Sequence, residues 1–388
     1  MNRAVGAERA MKVVIAPDSF KEAMTAVEAV AAMARGVLAV VPDAEVVDVP
    51  MSDGGEGFTE AVAATLGARV RAVGTVDALG RPVTGRLAIG DGTAVLEMAS
   101  AAGLELVPEG ERDVLGSDTR GVGRMIRAAL DAGIGRLLLG IGGSATNDGG
   151  AGMLAELGVR FLDRTGRVIG TTPRELTALA SVDASGLDPR LEGLTIDVAC
   201  DVDNPLLGPR GSSAVYGPQK GASPEDVAFL DGTLERLART AGHLDSFAAA
   251  PGAGAAGGLG YAFSAFLGGE LQSGADLVVE AVGLAEAVKG ADFVFTGEGA
   301  MDRQTLMGKT LSGVARAAAG VPIVAFAGRL GEGVEELYSH GFVGLVPIVA
   351  GVTTLEEALA GGREALADAA ERTVRLLLAG AARSADLQ

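Results

Sequence analysis

Tryptophan is absent from this chain of 388 residues, aromatic residues make up only 4% of it, and it has one cysteine and two histidines. The shortage of aromatic rings removes the stacking platform on which many RNA-binding proteins hold bases. Cys200 has no second cysteine for an internal disulfide or a thiolate zinc site. With only His243 and His340, the sequence does not favour a histidine metal centre or a Ser-His-Asp triad. Any chemistry is therefore expected from carboxylates, hydroxyls, lysine, arginine and backbone amides, with magnesium as the metal to consider.

Basic residues are also scarce relative to acidic ones. The 32 Lys and Arg residues against 50 Asp and Glu residues give a formal net charge of -18. This is the wrong sign for a partner such as nucleic acid or an anionic membrane. No apolar run approaches the roughly 18 residues that a membrane span needs, and the amino terminus lacks a signal-peptide core. We therefore expect a cytoplasmic protein that binds small molecules, with homo-oligomerisation left open.

Alternating strands and helices open and close the chain. Predicted strands at 12–16 and 45–49 precede helices at 26–40 and 56–66, and predicted strands at 293–296, 322–327 and 345–349 alternate with helices before a long helix at 356–378. Between them, strands at 69–76, 83–89 and 93–98 are joined by short turns that favour antiparallel hairpins. We therefore predict an α/β protein of two domains. A parallel-sheet, Rossmann/flavodoxin-like domain is built from residues 11–68 and 290–382, a mixed α+β domain of residues 69–289 is inserted into it, and residues 1–10 form a ragged extension.

Glycine, by contrast, is abundant, with 59 residues, and several glycine-rich segments follow predicted strands. Open α/β sheets bind ligands at the carboxyl ends of their strands. After the first strand, Asp18 and Ser19 could hydrogen-bond hydroxyls and Lys21 could pair with a carboxylate or phosphate, although a turn with a solvated lysine fits equally. After the second strand, Asp53 is followed by Gly54 and Gly55 at a helix start, which suits either an anion or a plain cap.

The longest glycine-rich segment is residues 140–152, between a predicted strand and a helix. Small residues that expose consecutive amides beside hydroxyls form a credible phosphate cradle, and an elaborate bend is the alternative. The candidate phosphate-binding residues in it are Gly142, Gly143, Ser144, Thr146, Asn147 and Asp148.

A fourth segment begins at Asp201 and Asp203 and continues through Arg210 to Lys220. Two carboxylates at a strand end suit magnesium or a general base, and they equally suit an Asx turn before Pro205.

A fifth segment contains Gly297 and Glu298, with Asp302 beyond them, and ends in Gly-Lys309-Thr. A Walker A motif requires glycine where this chain has Arg303, so that interpretation fails, but a nucleotide could still be held by the loop and by Lys309. The sequence does not favour NAD, because no acidic residue follows the next strand to bind a ribose.

Taken together, five segments resemble the bacterial glycerate kinase family, type 1. They are Ala-Pro-Asp-Ser-Phe-Lys at 16–21, Ser-Asp-Gly-Gly-Glu-Gly at 52–57, Gly-Ile-Gly-Gly-Ser-Ala-Thr-Asn-Asp-Gly-Gly at 140–150, Cys-Asp-Val-Asp-Asn-Pro-Leu-Leu-Gly at 200–208 and Gly-Glu-Gly-x-x-Asp-x-Gln-Thr at 297–305. The resemblance spans about residues 11–380 and implies two α/β domains, one inserted into the other, that phosphorylate D-glycerate to 2-phosphoglycerate with ATP and Mg²⁺. One departure is Glu22-Ala-Met after Lys21, where a small turn such as Gly-Ser-Leu is expected.

On this resemblance, Lys21, helped by Arg210 or Lys220, is assigned to the glycerate carboxylate or the transferred phosphoryl group. Asp201 is the candidate base, and Asp203 and Asp302 are candidate magnesium ligands through water.

In the same hypothesis, Asp18, Ser19 and Asp53 line a cleft between the two domains, where the active site is expected. The alternatives are a kinase that forms 3-phosphoglycerate, a kinase of another small hydroxy acid, and a non-catalytic two-lobed protein that binds a small acid.

Overall fold

The computed structural model describes residues 10–55, 57–306, 310–318 and 320–385. The strands are β1 (Lys12–Ile15), β2 (Glu45–Asp48), β3 (Arg69–Val76), β4 (Pro82–Gly90), β5 (Thr93–Glu97), β6 (Arg136–Gly140), β7 (Arg160–Leu162), β8 (Ser181–Asp183), β9 (Thr195–Ala199), β10 (Glu270–Gln272), β11 (Phe293–Met301), β12 (Ile323–Leu330) and β13 (Phe342–Pro347).

The α-helices are α1 (Ala26–Val40), α2 (Phe58–Leu66), α3 (Ala99–Ala102), α4 (Arg120–Leu130), α5 (Ala151–Glu156), α6 (Pro173–Leu176), α7 (Ser212–Tyr216), α8 (Pro224–Thr240), α9 (Ala255–Leu267), α10 (Gly274–Ala281), α11 (Leu284–Ala287), α12 (Thr310–Ala318), α13 (Leu355–Ala360) and α14 (Gly362–Ala385). Short 3-10 helices lie at Leu104–Leu106, Glu109–Glu111, Val114–Gly116, Pro189–Leu191, Pro218–Lys220, Arg303–Leu306 and Val334–His340.

The chain divides into two compact units. The terminal unit comprises Met1–Asp53 and Val278–Gln388, and the central unit is Gly54–Leu277. From the sequence, we expected the domain boundaries after residues 68 and 289 instead. Helix α2 packs on β4 and β5, so its contacts are with the central sheet. The predicted α/β class, with a parallel sheet from both chain ends and an inserted mixed domain, is confirmed.

The terminal unit is built on a parallel sheet of order β13-β12-β11-β1-β2. Buried valine, isoleucine and phenylalanine side chains of these strands pack with α1 and α14 into one core. A capping box at Thr25 and Glu28 begins α1. Gly36 lets α1 approach α14 closely, because a Cβ there would lie 2.3 Å from the Ala367 carbonyl oxygen. The single helix predicted at 356–378 is wrong, since α13 ends before Gly361 and α14 begins after it.

The central unit contains a mixed sheet of order β10-β9-β6-β5-β4-β3. Strands β3, β4 and β5 pair antiparallel, as the hairpin turns predicted, and β5, β6, β9 and β10 are parallel. The register aligns Glu97 with Gly140, Gly140 with Ala199, and Ala199 with Gln272. The carboxyl ends of four parallel strands therefore lie side by side, and they position the loops described next.

Among the parts of the central unit that were not predicted from the sequence are the β7–β8 hairpin, which pairs antiparallel, and α8, which begins with a capping box at Ser223 and Asp226. Among the residues that the structure describes, no helix is long and apolar enough to cross a membrane.

Candidate functional site

Glycines bring three sequence motifs together at the carboxyl edge of the central sheet. Gly54 has a φ of +87°, and a Cβ on it would lie 2.6 Å from the Ala199 Cβ. A Cβ on Gly140 would lie 2.5 Å from the Gly54 carbonyl oxygen, and one on Gly142 would lie 3.4 Å from the Gly55 Cα. Such approaches exclude a side chain at Gly54 and Gly140. The motifs beginning at residues 52 and 140 therefore meet in this unit through residues 54–55 and 140–142, beside Ala199, which directly precedes the motif beginning at residue 200.

The glycine-rich loop after β6 exposes only a short part of its backbone. Gly142 and Gly143 are exposed, whereas residues 144–150 are buried. The Gly143 carbonyl accepts from the Leu104 amide at 2.8 Å, and the Ala145 amide donates to the Ala102 carbonyl at 2.8 Å. Of the six candidate phosphate-binding residues of this loop, Gly142 and Gly143 alone face solvent.

Beneath this exposed turn, Lys220 extends from the Pro218–Lys220 turn into the interior and is only 1% exposed. Its Nζ donates to the Ser144 Oγ at 2.6 Å and to the Thr146 carbonyl at 2.7 Å. Burial lowers the pKa of Lys220 to about 7, and the charge of Asp148 opposes that shift. The structure therefore places Lys220 against the loop, not at a surface that a substrate carboxylate reaches.

Asp148 is fully buried and is surrounded by donors of the protein itself. Its Oδ2 accepts from the Thr119 amide at 2.9 Å, the Thr119 hydroxyl at 2.8 Å and the Gly152 amide at 2.9 Å, and its Oδ1 accepts from the Gly150 amide at 3.2 Å. Burial, followed by the charge of Asp118, raises the pKa of Asp148 to about 6. Its carboxylate joins the starts of α4 and α5 and does not face a ligand.

Thr146 and Asn147 complete the buried part of the loop. Thr146 is fully buried, and the Asn147 amide donates to the Ser213 Oγ at 3.0 Å while its carbonyl accepts from the Ser212 hydroxyl at 3.4 Å. These contacts tie the loop to α7, so both residues act within the protein interior.

The segment after β9 lies at the surface. Asp201 is exposed, and its Oδ1 accepts from the Gly274 amide at the start of α10 at 2.8 Å. Asp203 and Arg210 form an ion pair at 3.3 Å between largely exposed side chains. Exposed pairs of this kind contribute little stability. The structure thus gives Asp201 a fixed orientation and leaves Asp203 and Arg210 accessible.

One acidic residue at this edge escaped the sequence analysis. The Glu97 carboxylate, at the end of β5, accepts from the Thr59 amide in the first turn of α2 at 2.6 Å. Burial, helped by the charge of Glu60, raises the pKa of Glu97 to about 7. A carboxyl group of the protein therefore binds the helix start at which the sequence predicted a ligand anion.

In the terminal unit, hydrogen bonds join the loop after β1 to the middle of β11. The Asp18 amide donates to the Gly297 carbonyl at 2.9 Å, and the Thr296 hydroxyl donates to the Ala16 carbonyl at 2.7 Å. The Asp18 carboxylate accepts from the Ser19 amide at 2.6 Å and from the Thr310 hydroxyl at the start of α12.

Burial and neighbouring charges shift the pKa of the Asp18 carboxyl. Burial and then the neighbouring charge of Asp53 raise the pKa of Asp18 to about 6, while Thr310, Ser19 and Lys21 act in the opposite direction. The terminal unit therefore brings Ser19, Lys21 and Asp53 close to the Asp18 carboxylate.

Lys21 is exposed on a tight turn. The residues that follow it, beginning with Glu22, depart from the family pattern. Glu22 has a φ of +65°, a left-handed conformation that favours glycine. The turn is held by hydrogen bonds from the Ala23 and Met24 amides to the Phe20 carbonyl, both at 2.9 Å. The chain therefore forms a tight turn with a glutamate in a conformation that favours the glycine expected at this position.

The segment after β11 forms its own turn. The Thr305 hydroxyl donates to the Glu298 Oε1 at 2.8 Å and accepts from the Asp302 amide at 3.1 Å. Asp302 is partly exposed, and Lys309 lies outside the described residues. Sequence reasoning did not assign Thr305 or Thr310 to the site, although a threonine at a helix start was a usable signal for the second.

Comparisons with known proteins agree along nearly the whole chain. A family model described as the glycerate kinase family matches residues 13–378. A Bacillus subtilis protein named glycerate kinase is 47% identical over 94% of this chain and 96% of its own length. An Escherichia coli protein named glycerate 2-kinase is 45% identical over 95% of this chain and 99% of its own. A crystal structure from Salmonella typhimurium LT2, provisionally named glycerate kinase 2, has a TM-score of 0.87 at 42% identity and covers 96% of this chain and 99% of that one.

Proposed function

The chain belongs to the glycerate kinase family, and from that membership we propose that it transfers a phosphoryl group from ATP to the C2 hydroxyl of D-glycerate, which gives 2-phosphoglycerate. The observation that carries this proposal is 45% identity to the E. coli glycerate 2-kinase over 95% of this chain and 99% of that protein. A similarity that spans the full length of both chains supports the complete catalytic machinery, not one domain of it.

Phosphoryl transfer depends mainly on in-line positioning and charge neutralisation. With a net charge of -18, the chain repels ATP and glycerate at long range, so local cations must compensate. We assign Lys21 to the transferred phosphoryl group or the glycerate carboxylate. Its exposure and its closeness to the Asp18 carboxylate support this assignment.

Glycerate also offers hydroxyls, which need acceptors. In the proposed arrangement, Asp18, Ser19 and Asp53 hydrogen-bond to them. The hydrogen bonds from Ser19 and Thr310 orient the Asp18 carboxylate before substrate arrives, which reduces the entropy cost of binding.

In the central unit, the exposed backbone of Gly142 and Gly143 is the proposed phosphate contact. Asp201 is proposed to orient the attacking hydroxyl and to accept its proton, and its bond from the Gly274 amide fixes the carboxylate for that purpose. Arg210 is proposed to leave its exposed ion pair with Asp203 and to bind the substrate carboxylate instead.

The nucleotide is assigned to the segment of Gly297, Glu298 and Lys309. Among the described residues, no group of three His, Cys, Asp or Glu side chains is placed to hold a metal ion. Mg²⁺ in kinases commonly keeps several waters and is held by one or two carboxylates together with nucleotide phosphates, whose charge it neutralises. The solvent-accessible Asp203 and Asp302 suit such water-mediated contacts.

A coupled assay of ADP release tests the activity with D-glycerate, L-glycerate, lactate and tartronate at saturating ATP and Mg²⁺. We expect turnover with D-glycerate at least tenfold above that with the other acids, because the motif set matches glycerate kinases. Equal turnover with another hydroxy acid would move the substrate assignment to that acid. Glycerate binding without ADP release would favour a binding protein instead. The cytoplasmic location and homo-oligomerisation stay predictions.

A further inference from the structure

Lys220 is buried, yet both atoms to which its ammonium donates belong to the glycine-rich loop. We propose that Lys220 is a positioning residue, which fixes this loop from its buried side and so holds the Gly142 and Gly143 backbone ready for a phosphate. The inference rests on the proposed function, since that function makes the loop a phosphate contact.

The turn that carries Lys220 is itself anchored. The Arg112 guanidinium donates to the Gln219 carbonyl at 3.0 Å, and the Lys220 amide donates to the Gly217 carbonyl at 3.0 Å. Gly221, with a φ of +93°, lies against Arg112, where a Cβ would come within 3.2 Å of the Arg112 Cβ. The lysine stem therefore extends from a fixed base.

At its other end, the side chain holds two successive parts of the loop. The Ser144 hydroxyl follows the exposed turn directly, and the Thr146 carbonyl lies two residues further on. Between them, the Ala145 amide is bound to the Ala102 carbonyl. Removing the ammonium takes away the hydrogen bonds to Ser144 and Thr146. The bonds at Gly143, Ala145 and Asn147 then remain to hold the loop.

The burial of Lys220 separates this role from direct catalysis. Lys220 is 1% exposed, and its ammonium donates to two atoms of the protein instead of pointing into solvent. Its neighbour Asp148 is equally buried and favours the protonated lysine. The ammonium therefore acts on the ligand through the conformation of the loop.

The test compares Lys220→Met with Lys289→Met, which removes an exposed lysine that forms an ion pair with Glu286, three residues earlier in the chain. Hydrogen exchange of the segment 140–148 is measured without ligand, and KM and kcat are measured with D-glycerate and ATP. We expect Lys220→Met to accelerate hydrogen exchange in that segment at least fivefold. We also expect KM for either D-glycerate or ATP to rise roughly tenfold, with a smaller change in kcat. Lys289→Met should match the wild type in both measurements.

If the folded Lys220→Met protein exchanges hydrogen at 140–148 as the wild type does, the inference is overturned. If that protein has also lost activity, Lys220 is assigned to direct substrate contact instead. If Lys220→Met does not fold, Ser144→Ala decides, because it removes one of the two contacts. Faster exchange in Ser144→Ala supports the inference, and wild-type exchange contradicts it. Faster exchange in a protein that never phosphorylates glycerate would leave the positioning role intact and reject the proposed function.

Discussion

Replacing Asp148 by alanine should destabilise the central unit strongly. The substitution leaves three buried backbone amides, those of Thr119, Gly150 and Gly152, without their acceptor. A buried donor without a partner costs about 1 to 3 kcal/mol, so three donors set a range of about 3 to 9 kcal/mol. The removed charge was itself costly to bury, as its raised pKa indicates, and this offsets part of the loss. We therefore expect a net loss of about 3 to 5 kcal/mol.

Urea unfolding measures this loss directly. At a slope of about 3 kcal/mol per molar urea, the midpoint should fall by about 1 to 1.7 M with the slope unchanged. Asp163→Ala is the matched control, because Asp163 accepts from the Thr165 and Arg167 amides on a surface turn where water can replace it. Its midpoint should shift by a small fraction of that amount. Equal shifts in the two variants would refute the reasoning that burial makes these hydrogen bonds costly to lose.

Three further substitutions test the electrostatics of the two units. Glu97 takes up its proton near pH 7 in the folded protein and near 4.5 in a model peptide, so its contribution to stability is present at low pH and is lost as pH rises between these values. As pH rises from 4.5 to 8, the free energy of unfolding of Glu97→Gln should therefore increase by up to about 3 kcal/mol relative to that of the wild type. Urea unfolding at several pH values measures this, and a difference that does not change with pH would contradict it. Thr310→Val removes a hydrogen bond that lowers the pKa of Asp18, so the acid limb of the kcat/KM profile should move to higher pH, and an unmoved limb would exclude ionised Asp18 from substrate binding. Lys21→Met should lower kcat/KM for D-glycerate by about 10²-fold or more, whereas Lys289→Met should not, and similar values for both would remove Lys21 from the site.

Much of the fold was predictable because local patterns specify it. Strand 12–16 and its neighbours carry short β-branched runs, and the Thr25–Glu28 capping box marks the start of α1. The two-residue turn between β4 and β5 predicted the hairpin that forms. The break between α13 and α14 was missed, although Gly361 and Gly362 stand together there and two successive glycines disfavour a continuous helix.

The interior of the candidate site was less predictable because long-range contacts determine it. Lys220 contacts Ser144, which is 76 residues away, and Glu97 contacts Thr59, which is 38 residues away. From the sequence, a lysine beside glycine is typical of a surface, and a glutamate at a strand end gives no sign of the helix that it caps. The sequence indicated that glycines allow close backbone approaches in these loops, whereas it did not indicate that the Asp148 side chain faces the interior.

The regiochemistry of phosphate transfer tests the central claim most directly. A proton-coupled ³¹P NMR spectrum of the purified protein with D-glycerate, ATP and Mg²⁺ should show a new doublet, since a phosphate on the C2 oxygen couples to one proton. A triplet would place the phosphate on C3 and make the protein a glycerate kinase with a different product. No new phosphate ester from a folded preparation would contradict the claim that this chain phosphorylates glycerate.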